Sequence, residues 1–279
     1  MPNYLCVTCG TQFADSSSPP AHCQICEDER QYVGSNGQQW TELAELQHGY
    51  HNVVKAQEPS LTGIGTEPKF AIGQRALLVQ TANGNLLWDC ITLLDDATVA
   101  AVQALGGVSA IAISHPHYYS SMVAWSQAFG DVPIYLHTAD REWVMRPDPA
   151  IVFWDGDKQP LLDGLTLIHC GGHFEGGTVL HWPQGAEGRG ALLTGDIIQV
   201  VQDRRYVSFM RSYPNLIPLP APAIHKIVQA VEPFPFDRIY GAWWDTIVTT
   251  DARASVHQSA ARYVHAITGQ TDDTGHLAL

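Results

Sequence analysis

Apolar residues 108–113 form a short β-branched run that stops at Ser114-His115-Pro116-His117. Six residues are too few for a helix, so the run predicts a buried strand. Side chains two apart on a strand share a face, so His115 and His117 are expected to present two imidazoles to one point past the strand end. Histidine binds metals through a neutral ring nitrogen. The pair taken alone is equally readable as two solvated loop residues.

The remaining pattern predicts alternating strands and helices. Residues 39–46 read as a short helix after the Ser35-Asn36-Gly37 turn. Residues 70–72, 75–80 and 86–90 read as antiparallel strands separated by turns at Gly73 and Asn83-Gly84, the third carrying Asp89 near its end. Asp95-Asp96 caps a helix that runs to about Leu105 and closes at Gly106-Gly107. Past the histidines, residues 119–129 and 140–145 are helical and 132–136 a strand. Strand 165–169 leads into the glycine-rich stretch Cys170-Gly171-Gly172-His173, and strand 191–197 contains Gly195-Asp196. Helix 220–231 begins on prolines, and strand 236–240 follows it. A last helix starts at Asp251 and ends at Gly269, before a polar tail expected to fray. Hairpins followed by helix and strand predict a mixed α/β sheet.

Composition narrows the class. With 279 residues, 45% hydrophobic and 15% charged, the chain can bury one large core and carry a small appendage. Lys+Arg 15 against Asp+Glu 28 gives a net charge of −13, which argues against nucleic-acid binding through phosphate neutralisation. No apolar segment approaches membrane-spanning length, and the N-terminus has no secretory pattern. A cytoplasmic protein with a small-molecule substrate, no nucleic acid and no membrane is expected. A tryptophan-rich surface would suit a homodimer.

Four of the six cysteines form two pairs, Cys6-Val7-Thr8-Cys9 and Cys23-Gln24-Ile25-Cys26. That spacing fits a closed four-thiolate zinc site in a rubredoxin-like ribbon over residues 1–34, ahead of a larger domain over 35–279. Such a segment is too small for a core, and metal binding would supply its folding energy. Iron in the same cage stays open; disulfides are disfavoured without a secretory signal.

Asp89, His115-Pro116-His117, Gly172-His173 and Thr194-Gly195-Asp196 occur in an order that resembles the metallo-β-lactamase superfamily over roughly residues 65–250. The resemblance implies an αββα sandwich of two mixed sheets. It implies one active-site metal held by His115, His117 and His173, with Asp196 as a further ligand or proton acceptor. Asp89 would be structural. Two departures bear on metal count. The positions that carry Asp and His in the family's H-x-H-x-D-H are Tyr119 and Ser120, and the late histidine position falls on Ala242. One metal ion, zinc or iron, is therefore expected.

Three imidazoles and an open position suit a metal-activated water attacking an ester, thioester or lactone carbonyl. Tyr119 would either steady the developing oxyanion or pack in the vacated second-metal space. Trp243 and Trp244 would wall the substrate pocket; Arg204, Arg205 and Arg211 read as solvated residues rather than as holders of an acidic substrate group, and His48 and His51 as loop or substrate-pocket residues. The competing functions are a mononuclear non-haem iron dioxygenase of the persulfide-dioxygenase type and a non-catalytic metal-binding module.

Overall fold

The computed structural model describes residues 1–269; the polar tail lies outside them. The chain forms two compact units, Met1–Asp155 and Gly156–Leu279. Among the described residues no helix is long and apolar enough to cross a membrane.

The first unit is organised on a seven-stranded sheet in sequence order: β1 (His51–Glu58), β2 (Leu61–Glu67), β3 (Arg75–Thr81), β4 (Gly84–Trp88), β5 (Ala110–Ala112), β6 (Ile134–His137) and β7 (Ile151–Trp154). Neighbours from β1 to β4 run antiparallel, as tight turns allow, and β4 to β7 run parallel. Parallel neighbours need a crossover. Helix α1 (Asp96–Ala104) supplies the first and α2 (Met122–Ala128) the second. Asp95 caps α1 by accepting from Thr98 N at 2.7 Å, as its sequence position predicts.

The second unit holds a six-stranded sheet, again in sequence order: β8 (Lys158–Pro160), β9 (Thr166–His169), β10 (Thr178–Trp182), β11 (Ala191–Gly195), β12 (Arg238–Gly241) and β13 (Ile247–Val248). Only β11 and β12 are parallel, and α3 (Ala221–Val231) lies in the connection between them. Helix α3 buries Ile224, Ile227 and Val231, a single stripe at helical spacing, and α4 (Ala252–Thr268) buries the small residues Ala252, Ser255, Ser259 and Ala260. With Ile168, Val179, Leu192 and Ile239 from the sheet, these helices form one apolar core.

Several predicted elements differ. Residues 70–72 are turn and coil rather than strand, following a cis Glu67–Pro68 peptide. Only Leu43–Leu46 of the predicted 39–46 helix is helical, because Trp40–Thr41 instead pairs with Leu5–Cys6. Residues 140–145 fall partly within a kinked 3-10 segment, Thr138–Trp143.

Candidate metal centre

Strands β4 and β5 run parallel with Trp88 opposite Ala112, so the chain leaves both at the same end. Asp89 follows in left-handed backbone (φ 58°) and is buried. Its Oδ1 accepts from Ser114 N at 2.8 Å, which fixes the residue before His115. His115 itself is extended, and Pro116–Tyr118 then turns in a 3-10 helix. The two histidines therefore converge through a turn and not through the strand alternation expected from the sequence, since β5 ends at Ala112. Their rings lie 5.1 Å apart at the centroids, and Tyr118 packs 4.4 Å from His115.

In the second unit three chain segments leave the sheet at one end. Antiparallel pairing sets the start of β10 beside the end of β11. Parallel pairing sets Gly195 opposite Gly241. Residues 170–177, Asp196 and 242–245 accordingly share an edge. The first of these loops is closed by Cys170 N and Gly171 N, both donating to Gly177 O at 2.8 and 2.9 Å. Gly172 has φ +85°, and a Cβ there would stand 2.8 Å from Ile227 Cδ1, so this turn requires glycine. His173 follows. Its Nδ1 lies 2.9 Å from Met210 O. A carbonyl only accepts, so Nδ1 carries the proton and the neutral ring keeps its lone pair on Nε2.

His115, His117 and His173, at 1%, 3% and 1% exposure, each offer one ligand atom, and these atoms lie within 4.8 Å of one another. Ser114 Oγ stands 2.9 Å from His115 Nδ1, an outer partner on the ring nitrogen opposite Nε2, as metal-binding histidines commonly have. Three buried, converging imidazoles fit a borderline-soft divalent ion. Asp196 is buried at the end of β11 but is not one of this group. Tyr213 links it to His173: the phenol donates to Asp196 O at 3.0 Å and its ring lies 5.7 Å from the imidazole. Burial, and next the Asp196 charge, push the Tyr213 pKa well up, so this phenol stays protonated.

The other residues singled out by the sequence take definite places. Tyr119 is buried, its hydroxyl donates to Asp140 O at 3.4 Å, and burial followed by the Asp140 charge raises its pKa. The hydroxyl expected either to serve an oxyanion or to pack is thus given to the backbone. Ala242 is buried. Trp243 and Trp244 are half-buried in the turn joining β12 to β13, which Thr246 closes by donating to Trp243 O at 2.6 Å. Arg205 is exposed and pairs with Asp203, and Arg204 donates to Val201 O. His48 and His51 are exposed. Cys90 and Cys170 are buried thiols with pKa values raised by burial, Cys170 to about 12, and so are chemically quiet. Nothing in the sequence pattern marks Tyr213 or Met210 as partners of His173. Only the fold brings them to His173.

The N-terminal cysteines form a second donor group. Cys6, Cys9, Cys23 and Cys26 are buried, with ligand atoms all within 4.8 Å. The Cys6–Cys26 and Cys9–Cys23 sulfurs are 3.5 and 3.7 Å apart. A tetrahedron with metal–sulfur bonds of about 2.3 Å has edges of about 3.8 Å, so the cage fits a metal. Gln38 Nε2 donates to Cys6 Sγ at 3.1 Å. The Cys23 and Cys26 thiols lower the Cys6 pKa, while burial raises that of Cys9.

No family model matches the chain. The DIM-1 metallo-β-lactamase shares its fold at a TM-score of 0.58 and 14% identity, over 78% of this chain and 98% of that one. VMB-1 gives 0.58 at 12% identity over the same shares. FIM-1 from Pseudomonas aeruginosa, in a mono-zinc form, gives 0.56 at 14% identity over 75% and 94%. These likenesses establish the fold, the metallo-β-lactamase sandwich of mixed sheets with helices. In sequence the chain is 51% identical over 272 residues to the uncharacterized protein YmaE of Bacillus subtilis (strain 168), spanning 97% of this chain and 98% of that protein. On a metallo-β-lactamase fold carrying a three-histidine and a four-cysteine cluster, this chain belongs to the family of YmaE.

Proposed function

We propose that the protein is a metal-dependent hydrolase of esters, thioesters or lactones, with one active-site zinc ion and a second, structural zinc ion in the four-cysteine cluster. The observation that carries the reading is the convergence of three buried imidazoles, His173 with its proton fixed away from the cluster. A zinc ion on three imidazoles with an open position supplies a water whose pKa falls to about 7.

The chain's own residues do the rest. Met210 O and Ser114 Oγ, on Nδ1 of His173 and His115, orient both rings. Asp196, a buried carboxylate on the strand end beside Tyr213, is the group we assign to take a proton during attack. Trp243 and Trp244 offer a partly exposed apolar wall suited to an apolar acyl group. Tyr119 is left out of the chemistry, its hydroxyl being engaged by Asp140 O. Tyr119, Ser120 and Ala242 supply neither carboxylate nor imidazole for a second active-site ion.

The test is elemental analysis of wild type and His115→Ala, purified without added metal, beside a screen of chromogenic esters and lactones. Two zinc equivalents should fall to one. Losing an outer partner of a ligand costs roughly 10–100-fold, so losing the ligand should lower kcat/KM by more than about a hundredfold. Iron lost in place of zinc, with oxygen uptake by wild type, would move the assignment to oxygen chemistry. Unchanged metal content would end it.

A further inference from the structure

The segment carrying the four cysteines is wired to the loop carrying His115 and His117. Gly10, next to Cys9, sits in left-handed backbone at φ +82°, and a Cβ there would stand 2.3 Å from Thr92 Oγ1. This close approach lets Thr92 Oγ1 donate to Gly10 O at 3.0 Å. Two residues on, Gln12 N donates to Ser120 O at 2.9 Å. Ser120 is itself left-handed (φ 44°) and follows His117 by three residues. Its Oγ accepts from Gln74 Nε2 at 3.0 Å, and the adjoining Ser121 Oγ donates to Thr92 O at 2.7 Å.

The histidine loop is thus held at Ser114 by Asp89 and around Ser120 by Gln74, Thr92 and the cysteine knuckle together. The knuckle has a small core. The fully buried apolar residues clustered in it are the four cysteines and Ile25, with Phe13, Trp40, Ile72, Trp143 and Met145 partly buried against them. A knuckle built this way depends on what its sulfurs hold for its shape. Emptying it would withdraw the Gln12 N–H from a buried carbonyl and loosen the Thr92 contact, removing part of the frame of the loop that bears two of the three imidazoles.

We propose that Gly10, Gln12 and Thr92 are positioning residues through which metal in the four-cysteine cluster sets the metal affinity of the histidine cluster. This rests on reading the histidine cluster as a metal centre, and the experiment separates the two. Metal-free protein is titrated with cobalt(II), whose sulfur-to-metal charge-transfer band reports the cysteines, while the d–d bands that remain after subtracting the His115→Ala spectrum report the imidazoles.

In Cys9→Ser/Cys26→Ser the thiolate band should vanish, and the imidazole bands should need at least about tenfold more cobalt. Thr92→Val, isosteric and with all cysteines intact, should keep the thiolate band and weaken the imidazole centre by roughly threefold. Imidazole bands at wild-type cobalt concentrations in both variants overturn the proposal. If far-UV dichroism shows that the double variant does not fold, Thr92→Val decides. Wild type with a thiolate band and no imidazole bands overturns the metal-centre reading, and this proposal with it.

Discussion

At the scale of single residues the protein separates groups that carry chemistry from groups that hold them. His173 has a proton assigned by a carbonyl, and Asp89 uses a buried carboxylate to hold the Ser114 N–H. Tyr119 sits close in sequence to His117, but its hydroxyl faces Asp140 O. Tyr119→Phe should therefore leave kcat within about twofold and cost roughly 0.5–1.5 kcal/mol of stability, read by urea unfolding beside ester turnover. A large fall in kcat with unchanged stability would restore the oxyanion role. The histidines were legible because His115 and His117 closely follow an apolar strand run and glycines precede His173. Tyr213 and Met210 were not, because their work is done on a residue some forty positions away, which only the packing of the second unit brings near.

Secondary-structure elements were legible wherever capping or turn chemistry agreed with the apolar pattern. Helix α1 is the clear case, its start fixed by Asp95. Asp95→Ala should destabilise the protein by about 1 kcal/mol, seen as a lower urea midpoint at unchanged slope. The hairpin of β1 and β2 escaped notice for two physical reasons. β1 is an edge strand, largely exposed and without a clean alternation, and β2 carries Gly63 and Gly65 in its interior, which weakens a strand pattern. Residues 70–72 failed in the opposite direction: apolar and short, they are spent on a turn. The helix predicted over 39–46 lost its first half because Trp40 and Thr41 found a strand partner at Leu5–Cys6, a contact no local pattern encodes.

Across the whole molecule, buried imidazoles outside the metal centre make stability depend on pH. His181 is buried, with Nε2 2.8 Å from Pro235 O, and burial lowers its pKa; burial lowers that of half-buried His169 as well. Unfolded histidine titrates near 6.5, so the unfolded chain takes up more protons as pH falls through that value. The stability these residues contribute is complete above about 6.5 and declines below it. Denaturation of chelated, metal-free protein between pH 7.5 and 5 (about half a unit per step) should show that decline, and His181→Gln should flatten it. The family order of motifs made the fold readable at this scale, while the reaction is carried by few residues and had to be argued from their geometry.

The proposed ligands and proton acceptor stand beyond strand ends: His115 and His117 after β5, His173 after β9 and Asp196 after β11. Strand interiors supply the cohesion and the overhanging residues supply the reactivity. The two are therefore separable under mutation. A chain so arranged can exchange residues beyond its strand ends without breaking the pairing inside the sheets. Its catalytic repertoire is free to drift while its architecture stays robust.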